Sequence, residues 1–184
     1  MLDLNQAYKI LAEAECLFSA NQVSLALDGV AKRIQKKYHD LNPLVLCVMK
    51  GGAFTACALL QRLQFPLEFD FMQVTRYRDT TKGGVIEWRV APKVPIKQRH
   101  VLIVDDILDE GITLKEITEY CRREGAAGVE VMVLTYKKHN RIQSDVSAEY
   151  IALEVPDRYV FGCGMDYQGY FRNINGIYAL PETV

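Results

Sequence analysis

Four carboxylates follow an apolar run near the middle of the chain. Val101 to Val104 is typical of a buried strand, and Asp105, Asp106, Asp109 and Glu110 come directly after it. Crowding negative charges beside a buried strand costs free energy unless polar or cationic groups bind them. Sugar hydroxyls and Mg²⁺ are suitable partners, so this acidic loop is interpreted as a ligand-binding site. A solvated acidic turn is the alternative interpretation.

A helix is predicted to begin where the acidic loop ends. Gly111 to Thr113 leads into an apolar face that starts at Leu114. The first backbone N–H groups of a helix have no partner within it, and the helix dipole is positive at that end, so a phosphate would bind there. The alternative is that Thr113 and Glu116 form a capping box, and the two interpretations are compatible.

A second strand and turn in the sequence share this arrangement. Leu44 to Met49 is a short apolar run of strand length, it ends in Lys50-Gly51-Gly52, and apolar residues at helical spacing follow. Strands that alternate with helices predict an α/β fold with a mostly parallel sheet covered on both faces. Ligands bind beyond the carboxyl ends of such strands, where both unusual loops lie.

The polar stretch at residues 76–84 is a candidate mobile loop. The hydrophobic pattern predicts the remaining elements of regular structure. These elements are two amphipathic helices with apolar positions at 7–18 and 27–38, and strands at 67–75, 85–90, 129–134 and 150–153.

The amino-acid composition and charge exclude several classes of protein. With 184 residues, a net charge of -1, 49% hydrophobic and 24% charged residues, we expect a single globular domain over residues 1–184. The near-neutral charge disfavours a dedicated nucleic-acid binder. No apolar run approaches the ~20 residues that span a bilayer, so no membrane partner and a cytoplasmic location are expected. The five scattered cysteines fit reduced thiols, and the three histidines form no zinc motif.

Several segments resemble one known family. VLIVDDILDEGITL, residues 101–114, resembles the phosphoribosyl-pyrophosphate (PRPP) signature of the type I phosphoribosyltransferases. MKGG at 49–52, RYRD at 76–79 and PDRYVFGCGMDYQGYFRN at 156–173 resemble the hypoxanthine-guanine branch of that family, with its bacterial members the nearest. The resemblance implies the type I phosphoribosyltransferase fold: a mostly parallel central sheet flanked by helices, a small hood built from terminal segments, and a mobile active-site loop.

The resemblance also implies a reaction of purine salvage. A 5-phosphoribosyl group would pass from PRPP to a 6-oxopurine, hypoxanthine or guanine with xanthine as a further candidate, giving the nucleoside monophosphate (IMP or GMP) and pyrophosphate. Mg²⁺ is the implied cofactor, and a homodimer or homotetramer is the implied assembly. The alternative is a PRPP-sensing, nucleic-acid-binding regulator of the same fold, against which the net charge and the carboxylate at Asp109 both argue. A phosphoribosyltransferase for adenine or orotate is disfavoured by the resemblance of residues 156–173, here called the tail segment or tail.

In the acidic loop, the resemblance assigns Asp109 as the catalytic general base and Asp105 and Asp106 as ribose and PRPP ligands. Glu110 and Ile112 stand where the family's mammalian members have threonine and lysine, so phosphate binding would rely more on the backbone. The residues implied to bind the 5′-phosphate are Asp109, Glu110, Gly111, Ile112 and Thr113.

Elsewhere in the chain, the resemblance assigns residues to the pyrophosphate, the purine, the metal and the closing loop. For the purine's exocyclic oxygen, Lys137 is preferred and Lys138 is the alternative. The implied residues are Lys50, Gly51 and Arg172 for pyrophosphate, Lys137, Tyr159 and Val160 for the purine, Asp105, Asp106 and Asp166 for metal, with Asp166 ligating a second Mg²⁺, and Arg76 and Tyr77 for the active-site loop.

Overall fold

The chain alternates strands and helices through most of its length. The computed structural model describes residues 2–76, 86–139 and 145–181. The helices are α1 (Leu4–Glu13), α2 (Ala20–Tyr38), α3 (Gly52–Leu60) and α4 (Ile112–Arg123). The strands are β1 (Glu15–Ser19), β2 (Leu44–Met49), β3 (Glu68–Arg76), β4 (Ile86–Val90), β5 (His100–Leu108), β6 (Gly128–Lys137), β7 (Tyr150–Val155), β8 (Val160–Phe161) and β9 (Gly176–Ala179).

Six strands form the central sheet, in the order β4-β3-β2-β5-β6-β7. Their pairings are parallel except that of β4, which returns antiparallel to β3. Helices α2 and α3 pack on one face and α4 on the other, so the central strands are buried on both faces. The predicted α/β class and mostly parallel sheet are confirmed. Because β2 and β5 are neighbours, the two turns that follow them lie side by side.

The ends of the chain meet in a second, smaller sheet. Strand β9 pairs antiparallel with β1 and with β8. Val160, Ile177 and Ala179 of this sheet pack into the same core cluster as Val45 and Leu102 of the central sheet. The hood expected from terminal segments is therefore present, and it is joined to the main sheet by shared apolar packing.

The opening of the chain corrects one prediction. Helical spacing was expected to continue through Phe18, but α1 ends at Glu13 and residues 15–19 form β1. Ser19 begins α2 with a capping box, in which Gln22 N–H donates to the Ser19 hydroxyl and Ser19 N–H donates to the Gln22 side chain. The apolar period over so short a segment is also compatible with a strand, and pairing with β9 selects the strand.

Two strands extend further than predicted, and both extensions reach the candidate site. Strand β5 continues through the acidic pair to Leu108, where Ile107 and Leu108 still pair with β6. Strand β6 itself continues to Lys137. The predicted loop at 76–84 lies outside the described residues from Tyr77 onward, and Arg76 is the last residue of β3. No helix within 2–76, 86–139 and 145–181 is long and apolar enough to cross a bilayer.

Candidate active site

The acidic pair Asp105 and Asp106 lies near the carboxyl end of β5. Asp105 is 9% exposed, and its Oδ1 accepts a hydrogen bond of 2.8 Å from the Asp106 N–H. Burial raises the pKa of both carboxyl groups, and the charge of Asp106 raises that of Asp105 further, whereas Arg172 opposes the rise. The pair therefore favours an added proton, metal ion or hydrogen-bond donor.

A fully buried threonine on the neighbouring strand holds this pair in place. The Thr135 hydroxyl on β6 donates to the carbonyl oxygen of Asp106 at 2.9 Å. The sequence pattern gave no sign of this residue, because a threonine within an apolar strand is indistinguishable from a core residue.

The glycine turn after β2 comes into direct contact with the acidic pair. A Cβ atom at Gly51 would lie 1.7 Å from Oδ2 of Asp106, and one at Gly52 would lie 2.7 Å from the Val104 carbonyl oxygen. Both positions therefore require glycine for the backbone to approach this closely. The Met49–Lys50 peptide bond is cis, and the Lys50 side chain is exposed on the same turn.

The start of α4 does not form the capping box that was the alternative interpretation of Thr113 and Glu116. Its N-cap is Gly111, with φ at +80°, which has no side chain that could cap the helix. Thr113 is consequently the second helical residue, and Glu116 forms an ion pair of 3.1 Å with Arg123. Intrahelical bonding begins with the Lys115 N–H, which donates to the Gly111 carbonyl, so the N–H groups just before it remain available to a ligand.

These elements enclose a cleft with two lobes. The first, here called the acidic lobe, has a volume of about 410 Å³ and is lined by residues 105–114 together with Met49 and Gly51. The second, here called the aromatic lobe, has a volume of about 220 Å³. Asp106, Ile107 and Asp109 line both lobes, which are therefore adjoining. The other residues of the aromatic lobe are Lys137, Tyr159, Val160, Met165 and Asp166.

Asp109 binds two side chains that come from the end of β6. Its Oδ2 lies 2.8 Å from Nζ of Lys137, and its Oδ1 lies 2.6 Å from Nε2 of His139. Burial acts to raise the pKa of Asp109, but the hydrogen bonds and charges of Lys137 and His139 together lower it below its ordinary value. Asp109 is therefore ionised at neutral pH.

His139 is a site residue that the sequence interpretation missed, and Lys138 faces elsewhere. Side chains alternate along an extended segment, so residues 137 and 139 share one side and 138 takes the other. In agreement with this, Lys138 forms an ion pair with Glu154 of β7. The spacing of two residues from Lys137 was the signal that would have found His139.

The tail segment supplies one wall of the aromatic lobe. Tyr159 is 50% exposed and packs edge-on against Tyr167, with ring centroids 5.3 Å apart. Val160 belongs to β8 and is buried. The tail therefore contributes the half-exposed ring of Tyr159 and the strand residue Val160 to the wall of the aromatic lobe.

Arg172 joins the tail to the acidic pair. It forms an ion pair with Asp166, lies 4.0 Å from Oδ2 of Asp106, and donates to the Gly164 carbonyl at 2.5 Å. A Cβ atom at Gly164 would lie 2.2 Å from the Gly51 carbonyl oxygen, so the tail and the glycine turn are in backbone contact.

The residues expected to bind metal lie in two places, as expected for two ions. Asp166 binds Arg172 and accepts a hydrogen bond of 2.6 Å from the Gly169 N–H, whereas Asp105 and Asp106 lie together at the strand end. Within the part of the chain that the structure describes, no three His, Cys, Asp or Glu side chains form a metal cluster.

The structure thus gathers most of the predicted site residues around one cleft. Of the loop pair, Tyr77 and the side chain of Arg76 lie outside the described part of the chain. Lys50 lies on the glycine turn between the lining residues Met49 and Gly51 but does not itself line either lobe. The gathered residues are Gly51, Asp105, Asp106, Asp109, Glu110, Gly111, Ile112, Thr113, Lys137, Tyr159, Val160, Asp166 and Arg172.

Comparison with known proteins agrees with this architecture. The sequence matches the family described as phosphoribosyl transferase domain over residues 15–168. It is 32% identical to a hypoxanthine-guanine phosphoribosyltransferase of Streptococcus pneumoniae over 169 residues, which cover 91% of this chain and 93% of the relative. It is 30% identical to a hypoxanthine-guanine-xanthine phosphoribosyltransferase of Tritrichomonas foetus, with 91% and 92% covered.

Among solved structures, a hypoxanthine phosphoribosyltransferase from Staphylococcus aureus superimposes with a TM-score of 0.88 at 28% identity, covering 97% of each chain. The family match spans well over half of the sequence, and the structural likeness spans nearly all of it. The chain therefore belongs to the phosphoribosyltransferase family.

Proposed function

We propose that this protein transfers the 5-phosphoribosyl group of PRPP to a 6-oxopurine, releasing pyrophosphate and a purine nucleoside monophosphate. One observation carries the proposal: the acidic lobe adjoins an aromatic lobe in which Asp109 and Lys137 stand side by side. The relatives named above, which are hypoxanthine-guanine and hypoxanthine-guanine-xanthine enzymes, support the choice of hypoxanthine, guanine or xanthine as acceptor.

The acidic lobe would hold the phosphorylated sugar. Asp105 and Asp106 accept hydrogen bonds from the ribose hydroxyls, which supply the donors that these buried carboxylates favour. The 5′-phosphate binds the N–H groups at the start of α4 and the Thr113 hydroxyl. Glu110 and Ile112 take part through their backbone, as the loop from Asp109 to Thr113 wraps the phosphate.

The acidic pair also fits Mg²⁺. It is buried and only partly neutralised by Arg172, and Mg²⁺ is commonly bound through one or two carboxylates with water and substrate phosphate oxygens completing its shell. Asp105 and Asp106 would hold one ion, and Asp166 would hold a second. When bound, the metal neutralises negative charge on the departing pyrophosphate.

The aromatic lobe would hold the purine. The Lys137 ammonium donates to the exocyclic oxygen, Tyr159 stacks on the ring, and the Val160 backbone contacts the ring edge. Asp109 accepts the proton that leaves the imidazole-side nitrogen as that nitrogen attacks the sugar. Each Asp109 oxygen binds one donor in the structure and can accept another, so the carboxylate is available to the purine.

The pyrophosphate would lie between the glycine turn and the tail. Lys50 is exposed on that turn, and Gly51 allows the backbone to approach the ligand closely. Arg172 is held beside Asp106 and supplies a second positive charge next to the leaving group.

A spectrophotometric assay tests the proposal. Purified protein is incubated with PRPP and Mg²⁺ and with hypoxanthine, guanine, xanthine or adenine in turn, and nucleotide formation is followed. We expect turnover with at least one 6-oxopurine and none with adenine. Absence of product with all four bases, together with no heat on titrating PRPP and Mg²⁺, would refute it. Nucleic-acid retention in a filter-binding assay would then favour the regulator.

We further propose that residues 1–184 form one domain that assembles into a homodimer or homotetramer. The hood and the central sheet share one apolar core cluster, which supports a single domain. Phe69 and Phe71 support assembly, because they lie on the same face of β3 and are 45% and 43% exposed. Phe54 on the adjoining α3 is 44% exposed, so this side of the molecule offers several aromatic rings to a second copy.

A further inference from the structure

His139 lies behind Asp109 with respect to the aromatic lobe. Its side chain is 2% exposed, whereas that of Asp109 is 38% exposed, and the two are joined at 2.6 Å. Asp109 lines both lobes of the cleft, and His139 is absent from the described lining of either. Within the described residues, the imidazole is therefore connected to the cleft through Asp109.

The direction of the hydrogen bond follows from the chemistry of the acceptor. An ionised carboxylate has no hydrogen to donate, so the hydrogen between the two groups belongs to Nε2 of His139. The imidazole therefore donates to Oδ1 in either its neutral Nε2–H form or its charged form. Lys137 donates to the other oxygen, Oδ2, from the same strand end.

Two donors on two oxygens fix the orientation of the Asp109 carboxylate. If the imidazole were absent, the carboxylate could rotate about its Cβ–Cγ bond and place both oxygens on the Lys137 ammonium. That rotation would turn lone pairs away from the aromatic lobe. The neighbouring Lys138 does not take the place of the imidazole, because its side chain lies on the other side of the strand, where it pairs with Glu154.

We propose that His139 is a positioning residue for the reaction, which holds Asp109 through Nε2–H so that the carboxylate presents a free lone pair to the purine. The inference rests on the proposed function, since it assumes that Asp109 accepts the purine's proton. The charged groups near the imidazole include Asp109 from the loop after β5, which it contacts directly, and Lys137 from β6, which binds the other oxygen of the same carboxylate.

Steady-state kinetics of three variants test this role. His139→Ala removes the donor, His139→Gln keeps an N–H donor that does not titrate, and His39→Ala is the matched control on the exposed end of α2. For His139→Ala we expect kcat to fall on the order of 10-fold to 10²-fold with KM for PRPP within about twofold of wild type. His139→Gln should recover most of kcat, and His39→Ala should match wild type.

The pH dependence separates positioning from mere folding. Loss of the imidazole removes a contribution that lowers the pKa of Asp109, so the acid limb of the kcat profile should move to higher pH in His139→Ala. A structural defect would lower kcat at every pH without moving that limb.

A measurement without substrate distinguishes failure of this inference from failure of the proposed function. The carboxyl ¹³C resonance of Asp109, assigned by its loss in Asp109→Asn, is titrated in wild type and in both His139 variants. We expect a higher midpoint in His139→Ala than in wild type. An unchanged midpoint in folded His139→Ala overturns the role of His139. If the wild type is active, an unchanged kcat in His139→Ala overturns it as well. An inactive wild type with the shifted midpoint overturns the reaction and, with it, the catalytic part of this role.

Discussion

The Nζ of Lys137 lies 2.8 Å from Oδ2 of Asp109, although the two residues come from different strand ends. In the proposed reaction these groups bind the oxygen-bearing edge of the purine and its imidazole nitrogen. Their pairing means that one cation serves both steps: it keeps Asp109 ionised before the purine binds, and it then donates to the purine oxygen. In the proposed reaction, the purine therefore binds to the Lys137–Asp109 ion pair, which is already formed without the ligand.

Asp109→Asn should lower kcat on the order of 10²-fold or more, because an amide cannot accept the purine's proton as a general base does. PRPP binding should persist, since in the proposed site backbone N–H groups at the start of α4 would hold most of the phosphate. Kinetics and calorimetric titration of PRPP with Mg²⁺ measure the two effects. Asp40→Asn, at an exposed position after α2, is the control. Wild-type turnover in Asp109→Asn would refute its role.

Lys137→Ala and Lys138→Ala form a matched pair of neighbouring substitutions. The first should raise KM for the purine about 10-fold or more, since it removes a charged donor from the aromatic lobe. The second should leave that KM within about twofold of wild type, because Lys138 binds Glu154 on the other side of the strand. Initial rates at varied purine concentration measure both values. A larger effect at Lys138 would contradict the assignment.

Gly51→Ala should abolish measurable activity, whereas Gly29→Ala should stabilise the protein. The Cβ added at position 51 would meet Oδ2 of Asp106 at 1.7 Å, so the turn or the acidic pair must move. At Gly29, on the exposed side of α2, a Cβ meets nothing within 4 Å. Alanine should therefore add about 0.5–1 kcal/mol to the free energy of unfolding through its helix propensity. Urea denaturation and the activity assay report the two outcomes.

Asp105→Asn should raise the thermal midpoint of the unliganded protein at pH 8. Because the folded-state pKa of Asp105 is raised by burial and by Asp106, its carboxylate destabilises the fold above that pKa, and stability is recovered as pH falls through it. Asparagine keeps the acceptor for the Asp106 N–H without the charge. The gain should be on the order of 2–4 °C and should shrink at lower pH.

Calorimetric scans from pH 8 downward, with and without PRPP and Mg²⁺, provide the measurement. The same substitution should remove the stabilisation that these ligands give to wild type. A midpoint that falls at pH 8 would show that the carboxylate stabilises the unliganded fold.

The double variant Phe69→Lys/Phe71→Lys should reduce the oligomeric state. Two charges on this exposed face of β3 would have to be desolvated in an interface, which is unfavourable. Light scattering after size-exclusion chromatography gives the mass of each species. Tyr8→Lys, at a 65% exposed position in α1, should assemble as wild type does. An unchanged mass for the double variant would place the interface elsewhere.

The sequence predicted best those features that depend on neighbouring residues. The apolar run of β2 with its glycine turn, and that of β5 with its acidic residues, each contain a strand, a turn and a helix start in one continuous segment. Helix capping was less predictable, because Thr113 and Glu116 have the right spacing for a capping box while the backbone at Gly111 determines where α4 begins.

Contacts between distant segments could not be predicted in this way. Arg172 meets Asp106 only because the tail crosses the ends of the central strands, and no local pattern encodes that distance. Likewise, His139 resembles any histidine after a strand until β6 is seen to extend to Lys137. At residues 16–18 the apolar spacing fits a helix as well as a strand, and the pairing with β9, which lies far away in the sequence, selects the strand.

The two lobes of the cleft are built from separate stretches of the chain. Residues 105–114 and the glycine turn form the acidic lobe, whereas Tyr159, Val160, Met165 and Asp166 close the aromatic lobe from the tail. In the proposed function, Tyr159 and Val160 contact the purine and residues 105–114 hold the phosphorylated sugar, so substitutions at Tyr159 or Val160 would change which heterocycle is accepted and leave binding of the sugar phosphate unchanged. Diversification within such an architecture can therefore proceed one ligand at a time.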